Sequence, residues 1–161
     1  MPTQRERKNW LILSHGLNMD GRAASLTVTD KIPYLLEQGL TLTVLSAVTG
    51  KKDERFAHYQ LLPWGPSGLR FDFRHFIATR YGRGLLYKIL TPLVSLFLLP
   101  FTAIERLVFG LSSQASWAIP AAIRGAWLVK KHHIDVVYSS GGAWSAHLAG
   151  YWIKKLTGVK W

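Results

Sequence analysis

The 161-residue chain has no cysteine, which excludes a disulfide scaffold and a thiolate metal site, and suits a reducing compartment. Acidic residues are scarce: 9 Asp and Glu stand against 20 Lys and Arg, a net charge of +11 that calls for an anionic partner. No secretion signal is visible, because the apolar run Trp10–Leu13 behind the basic N-terminus is too short for a signal core. A dinucleotide fingerprint is absent, and so are a Cys/His finger, an aromatic ribonucleoprotein signature, a serine or cysteine nucleophile motif and a low-complexity linker. Six histidines are scattered without carboxylates at helical spacing, and His132 and His133, being adjacent, point apart; no metal is expected.

What is present is apolar. Hydrophobic residues make up 48% and charged residues 18%, so the chain folds, and its length supports one domain with a real core. Trp10 to Ser14 reads as a buried strand, Ala23 to Gln38 as a helix that Pro33 kinks or delays, and Leu40 to Ser46 as a second strand. A glycine loop, His15 to Gly21, separates the first strand from the helix. The sum is a βαβ unit with its ligand end at the carboxyl ends of the strands. Tyr59 to Leu62 is a third, short strand, closed by Pro63–Gly68, a run expected to be irregular. Farther on, Ser116 to Lys131 reads as a helix, Ile134 to Ser139 as a buried strand, and Ala143 to Leu156 as another helix. Val159–Trp161 reads as the opening of a strand that is not completed, so the domain is expected to be incomplete at its C-terminus. The fold class is α/β, a Rossmann-like parallel sheet with flanking helices and an apolar helical insertion over residues 69–111.

Two loops are candidate sites. Gly16 and Gly21 have P-loop spacing, but Arg22 and Ala23 follow where lysine and a hydroxyl are needed, so nucleotide hydrolysis is not expected. Gly21 and Arg22 at a helix start still suit a phosphate, and His15 lies where chemistry collects; a plain tight turn is the competing reading. At the other junction Ser139, Ser140, Gly141 and Gly142 offer hydroxyls, close backbone approach and a helix cap, against a capped turn with no further role. His147, mid-helix, reads as a packed histidine.

The insertion carries the charge argument. Between Phe56 and Ile134 the acids are Asp72 and Glu105 alone, against nine basic residues. Ile89 to Ile104 is sixteen uncharged residues, short of the roughly 20 that span a bilayer, and Pro92 and Pro100 are expected to interrupt it. Basic residues beside grease suit a segment lying in an anionic leaflet, with Arg80, Arg83, Lys88, Leu93, Phe97, Leu98, Phe101 and Arg106 as its contacts. A buried helical pair and a single span are the alternatives.

The order strand, Gly21-Arg22 loop, helix, then Glu37-Gln38-Gly39-Leu40-Thr41-Leu42-Thr43-Val44-Leu45 resembles the opening of the family 4 type glycosyltransferases of the GT-B fold. Asp20 stands where that family has a first glycine, and Leu40 where it has a histidine. Ile134-Asp135-Val136-Val137-Tyr138-Ser139-Ser140, with Thr157-Gly158-Val159-Lys160-Trp161, is similar to a later region of the same family. The resemblance implies an acceptor-binding N-terminal domain, with Gly21 and Arg22 approaching the donor phosphates. It implies transfer from a nucleotide sugar to a lipid-linked or membrane-bound glycan acceptor, in polysaccharide biosynthesis, as a hexosyltransferase-type enzyme. The nucleotide sugar would be held by a separate donor-binding domain or chain, so this fragment binds no cofactor and is expected to be inactive alone. The expected location is cytoplasmic and peripheral, on the inner face of the cell membrane. Two alternatives belong to other classes: a non-catalytic membrane-anchoring subunit that recruits a catalytic chain, and a basic nucleic-acid-binding module.

Overall fold

Alternation of side chains across a strand decides how the apolar runs are used. A computed structural model describes residues 8–19, 23–110, 115–140 and 143–161. The elements are β1 (Asn9–Leu13), α1 (Ala23–Thr29), α2 (Lys31–Glu37), β2 (Thr41–Ala47), β3 (Ala57–Leu61), α3 (Pro66–Tyr81), α4 (Leu85–Phe109), a 3-10 turn (Ala115–Trp117), α5 (Ala118–Lys131), β4 (Val136–Ser139) and α6 (Trp144–Thr157). The four strands form one all-parallel sheet in the order β3-β2-β1-β4. Leu11 lies opposite Thr43 on one side and Val137 on the other.

Each face carries its own core. Leu11, Leu13, Leu45 and Val137 pack with Trp117, Ala121 and Leu128 on the α5 side and Ala146, Ala149 and Ile153 of α6. Ile12, Leu42 and Val44 point the other way, onto Val28 and Ile32 of α1 and α2. Helices on both faces of a parallel sheet define a Rossmann-like α/β fold, as the continuously apolar strands require. Beyond β4, Lys160 bridges in parallel to Val136, and its carbonyl accepts the Val137 N–H at 2.8 Å.

Four local expectations change. The helix expected over 23–38 divides at Asp30: Pro33 has no N–H for the Thr29 carbonyl and its ring crowds that turn, so α1 ends and α2 starts afresh. β3 begins at Ala57, two residues early. Residues 66–68 of the supposedly irregular run are the first turn of α3, because Pro66 stands at the helix start, where its missing N–H costs nothing. Above all, α4 runs unbroken for 25 residues through Pro92 and Pro100. Each proline removes one intrahelical bond, but α3 lies alongside and the remaining bonds carry the helix through.

The α3–α4 hairpin is closed at its far end by a long-range cap. Glu105, one of the two lone acids of the basic stretch, is 8% exposed and accepts the Ser67 N–H at 2.7 Å, which sets a carboxylate on the N-terminal turn of α3. A Cβ at Gly65 would collide with Glu105 Oε1, so the carboxylate reaches that turn only because residue 65 is glycine.

Candidate functional site: the carboxyl edge of the sheet

In the order β3-β2-β1-β4 the chain leaves β1 toward β2 on one side, then crosses back to place β4 on the other. The reversal puts a switch point between the carboxyl ends of β1 and β4, where open α/β sheets leave a crevice. Both loops singled out from the sequence rise from this point. The Ser140 N–H donates to the Leu13 carbonyl at 2.9 Å, and Ser14 N–H to Leu45 O at 3.1 Å, so the two loop roots are stitched to neighbouring strands. Gly21, Arg22, Gly141 and Gly142 lie outside the described residues.

The β1 loop is clamped. Ala47 N–H and Thr49 Oγ1 both donate to the His15 carbonyl, at 3.1 and 3.2 Å. Met19 N–H donates to Ser25 Oγ at 2.8 Å, tying the loop to α1. A Cβ on Gly50 would overlap the Leu17 carbonyl, so the segment after β2 packs backbone to backbone against it. The His15 ring is only 2% exposed, which turns it away from solvent chemistry. Its Nε2 stands 3.2 Å from Asp72 Oδ1 of α3, an ion-pair contact without hydrogen-bond alignment. Phe71 and Trp117 enclose the imidazole, with ring centroids 5.9 and 5.4 Å away. Burial pushes the Asp72 carboxyl above the usual carboxylate range, and the neighbouring His15 works against that shift. His15 therefore joins the β1 loop to α3.

The β4 side is more open. Ser139 Oγ accepts the Trp161 Nε1–H at 2.8 Å and stands 2.9 Å from His147 Nδ1. His147 is thus exposed and bonded, not packed in the core as its mid-helix position suggested. Serines 139 and 140 do not cap α6 either: Ala143 occupies the cap position, with no side-chain cap bond among the described residues. The Tyr138 hydroxyl is drawn below its ordinary pKa by Ser140 and then by Lys31, whose Nζ lies 3.1 Å away. With the uncapped first turn of α6 alongside, this end of the sheet gathers donors that suit an anionic or polyhydroxylated ligand.

The hairpin crosses the same edge. Asp72 meets the loop after β1, while farther along α3 Thr79 Oγ1 donates to Thr49 O at 2.8 Å and Arg80 Nη1 to Val48 O at 3.3 Å, both after β2. Arg80 is therefore engaged by protein and by the Phe76 ring at 4.1 Å. On α4, Tyr87, Leu90, Thr91, Val94, Ser95 and Leu98 are half-buried, and Thr102 and Glu105 buried, in one stripe with helical spacing. Leu93 (57% exposed), Phe97 (72%) and Phe101 (50%) face water, as do Leu85, Leu96 and Leu107. Leu98 thus sits on the half-buried stripe, apart from the other apolar contacts expected; Arg83, Lys88 and Arg106 are exposed. The reading of this segment as a buried helical pair fails on that exposure. Residues Leu85–Val108 have a mean hydropathy of 1.7, and by length and composition suffice to cross a membrane, where the sixteen uncharged residues fell short. An apolar recess of about 460 Å³ opens beside them, between Trp64, Phe101, Ile104, Ile119 and Leu148.

Sequence reasoning missed Asp72, Glu105, His147 and Trp161 as partners; two lone acids in a long basic stretch were the available signal for the first pair. No protein-family model matches the chain, and neither curated proteins nor solved structures gave a match.

Proposed function

We propose that this chain is the acceptor-side domain of a GT-B type glycosyltransferase, passing a sugar from a nucleotide-sugar donor to a lipid-linked or membrane-bound acceptor. The observation that carries the reading is the common location of crevice and grease. The α3 helix lies over the carboxyl edge of the sheet, and α4 packs along it with its exposed apolar side turned to water. A lipid-borne acceptor needs that arrangement, since its sugar must reach the crevice while its tail stays in the leaflet. The apolar recess between Trp64 and Phe101 offers room for part of such a tail.

An in-plane posture on the inner leaflet fits better than a crossing. α4 packs along α3, which carries Arg70, Arg74 and Arg80 and is bonded into the β-loops. A crossing would drag those arginines into hydrocarbon, at a cost of about 2.5–3.5 kcal/mol each. At the surface they remain among head groups. Electrostatic stabilisation of the departing diphosphate would fall to loop amides and to Gly21 and Arg22.

The test is transfer of label from a panel of radiolabelled nucleotide sugars into the solvent-extractable lipid of membranes that contain the intact gene product. Label that depends on the gene, and falls when Ser140 is replaced by Val, is expected. Abundant gene product with no lipid labelling from any donor would refute the assignment.

A further inference from the structure

The polar side chains of α4 are placed oddly for a helix with so much apolar surface. Tyr87, Thr91 and Ser95 recur every four residues and form one hydroxyl stripe along the half-buried side. Opposite them on α3 stand Arg70 and Arg74, also four apart. Together these five residues line a groove of about 650 Å³ between the helices, whose remaining walls are Pro92, Leu93, Leu96 and Leu99. Arg74 Nε donates to the Tyr87 hydroxyl at 2.9 Å, which fixes one guanidinium at the groove wall.

Neither arginine has a carboxylate partner among the described residues. The ion pairs found there are His15 with Asp72 and Arg55 with Asp53, the latter at 2.7 Å in the loop before β3. Arg70 and Arg74 are left uncompensated. Their side of α3 is opposite Asp72, which faces His15, so the groove looks away from the crevice.

We infer that this groove is a seat for the phosphate head group of an anionic phospholipid of the leaflet, with Arg70 and Arg74 as its cationic wall and the Tyr87 and Ser95 hydroxyls as further donors, the Thr91 hydroxyl being spent on the Tyr87 carbonyl. Forked guanidiniums suit phosphate oxygens, and Leu93, Leu96 and Leu99 continue the groove as apolar surface for the chain below the head group. Because the groove faces away from the switch point, its occupant is a lipid that holds the domain in place, and the acceptor binds elsewhere. The inference rests on the reading of the hairpin as leaflet-docked, and adds that docking runs through one site.

The test is flotation of the 161-residue chain with vesicles of phosphatidylcholine alone or with 30 mol% phosphatidylglycerol (roughly the anionic content of a charged leaflet). R70Q/R74Q is expected to lower partition onto the anionic vesicles well beyond the about thirtyfold that loss of two diffuse surface cations gives. R83Q/K88Q, equal in charge and on the same hairpin, should lower it by no more than that diffuse amount, about thirtyfold, and the remote pair K130Q/K154Q less than twofold. If R83Q/K88Q matches or exceeds R70Q/R74Q, attraction is diffuse and the seat is overturned while docking stands. If the wild-type chain floats with neither vesicle, the docked reading falls as well. Circular dichroism of R70Q/R74Q should match the wild type, since both side chains are exposed.

Discussion

The exposed side of α4 allows a sharp separation between packing and docking. In L93Q/F97Q/F101Q three apolar side chains that are 57%, 72% and 50% exposed become polar, and glutamine, a good helix former, keeps the helix intact. Full burial of a Leu or Phe is worth about 1.5–3 kcal/mol, so the water-facing part of each contributes about 1–2 kcal/mol once it enters a leaflet. Three together give about 4 kcal/mol, or roughly a thousandfold in vesicle partition. Folding stability should hardly move, because these surfaces already face water in the free chain. The assays are flotation with mixed phosphatidylcholine and phosphatidylglycerol vesicles, and thermal melting followed by circular dichroism. A midpoint within about 4 °C of wild type is expected, since 1 kcal/mol moves a domain of this size by about 2–4 °C. A fall of more than about 10 °C with partition unchanged would refute the reasoning, for it would make this side of α4 a packing surface.

Two further predictions concern buried histidines. H15A should lose about 3–5 kcal/mol in urea unfolding, because it strands the Asp72 carboxyl in an apolar setting, whereas H15L/D72L should recover most of that loss; additive losses would show that the pair is not coupled. His58 accepts the Asp53 N–H on Nδ1 at 3.0 Å and faces Ser46 Oγ at 2.8 Å through Nε2, and burial lowers its pKa from 6.5 to about 4. A depressed histidine is neutral when folded and gains a proton on unfolding, so its contribution is full above pH 6.5 and is lost as pH falls through about 4. The loss is about 3 kcal/mol, and H58Q should flatten the stability-against-pH curve over that window; an unchanged slope would count against it.

The sheet was legible because its signals are local. Apolar runs at 10–13 and 136–138, and the β-branched run from Leu40, specify strands covered on both faces, and the glycine loops mark their ends. The hairpin was legible only in part. Aromatic and basic residues from Leu69 to Arg83 mask helical periodicity, and two prolines suggest breaks in α4, whereas the neighbour that keeps α4 whole comes from tertiary packing. Glu105 illustrates the limit most clearly. Its charge was visible at the edge of an apolar run, but its role as cap of α3 depends on a residue 38 positions away, which no window of periodicity contains.

The candidate site was hidden for the same reason. His15 and Ser139 were chosen because each ends a strand, and the register Leu13 to Ser139 brings those ends side by side. What their side chains touch is decided elsewhere: Asp72 on α3 for the one, His147 and Trp161 for the other. Those contacts divide the two residues by role. A histidine sealed between Phe71 and Trp117 is closed to a substrate, so it acts through the hairpin that its contact with Asp72 anchors. On the other side Ser139 is half-buried and Ser140 is 7% exposed, beside the start of α6. If the hairpin meets a leaflet, force on α3 reaches the β1 loop directly through Asp72 and His15, and the floor of the crevice is set by the element that holds the lipid.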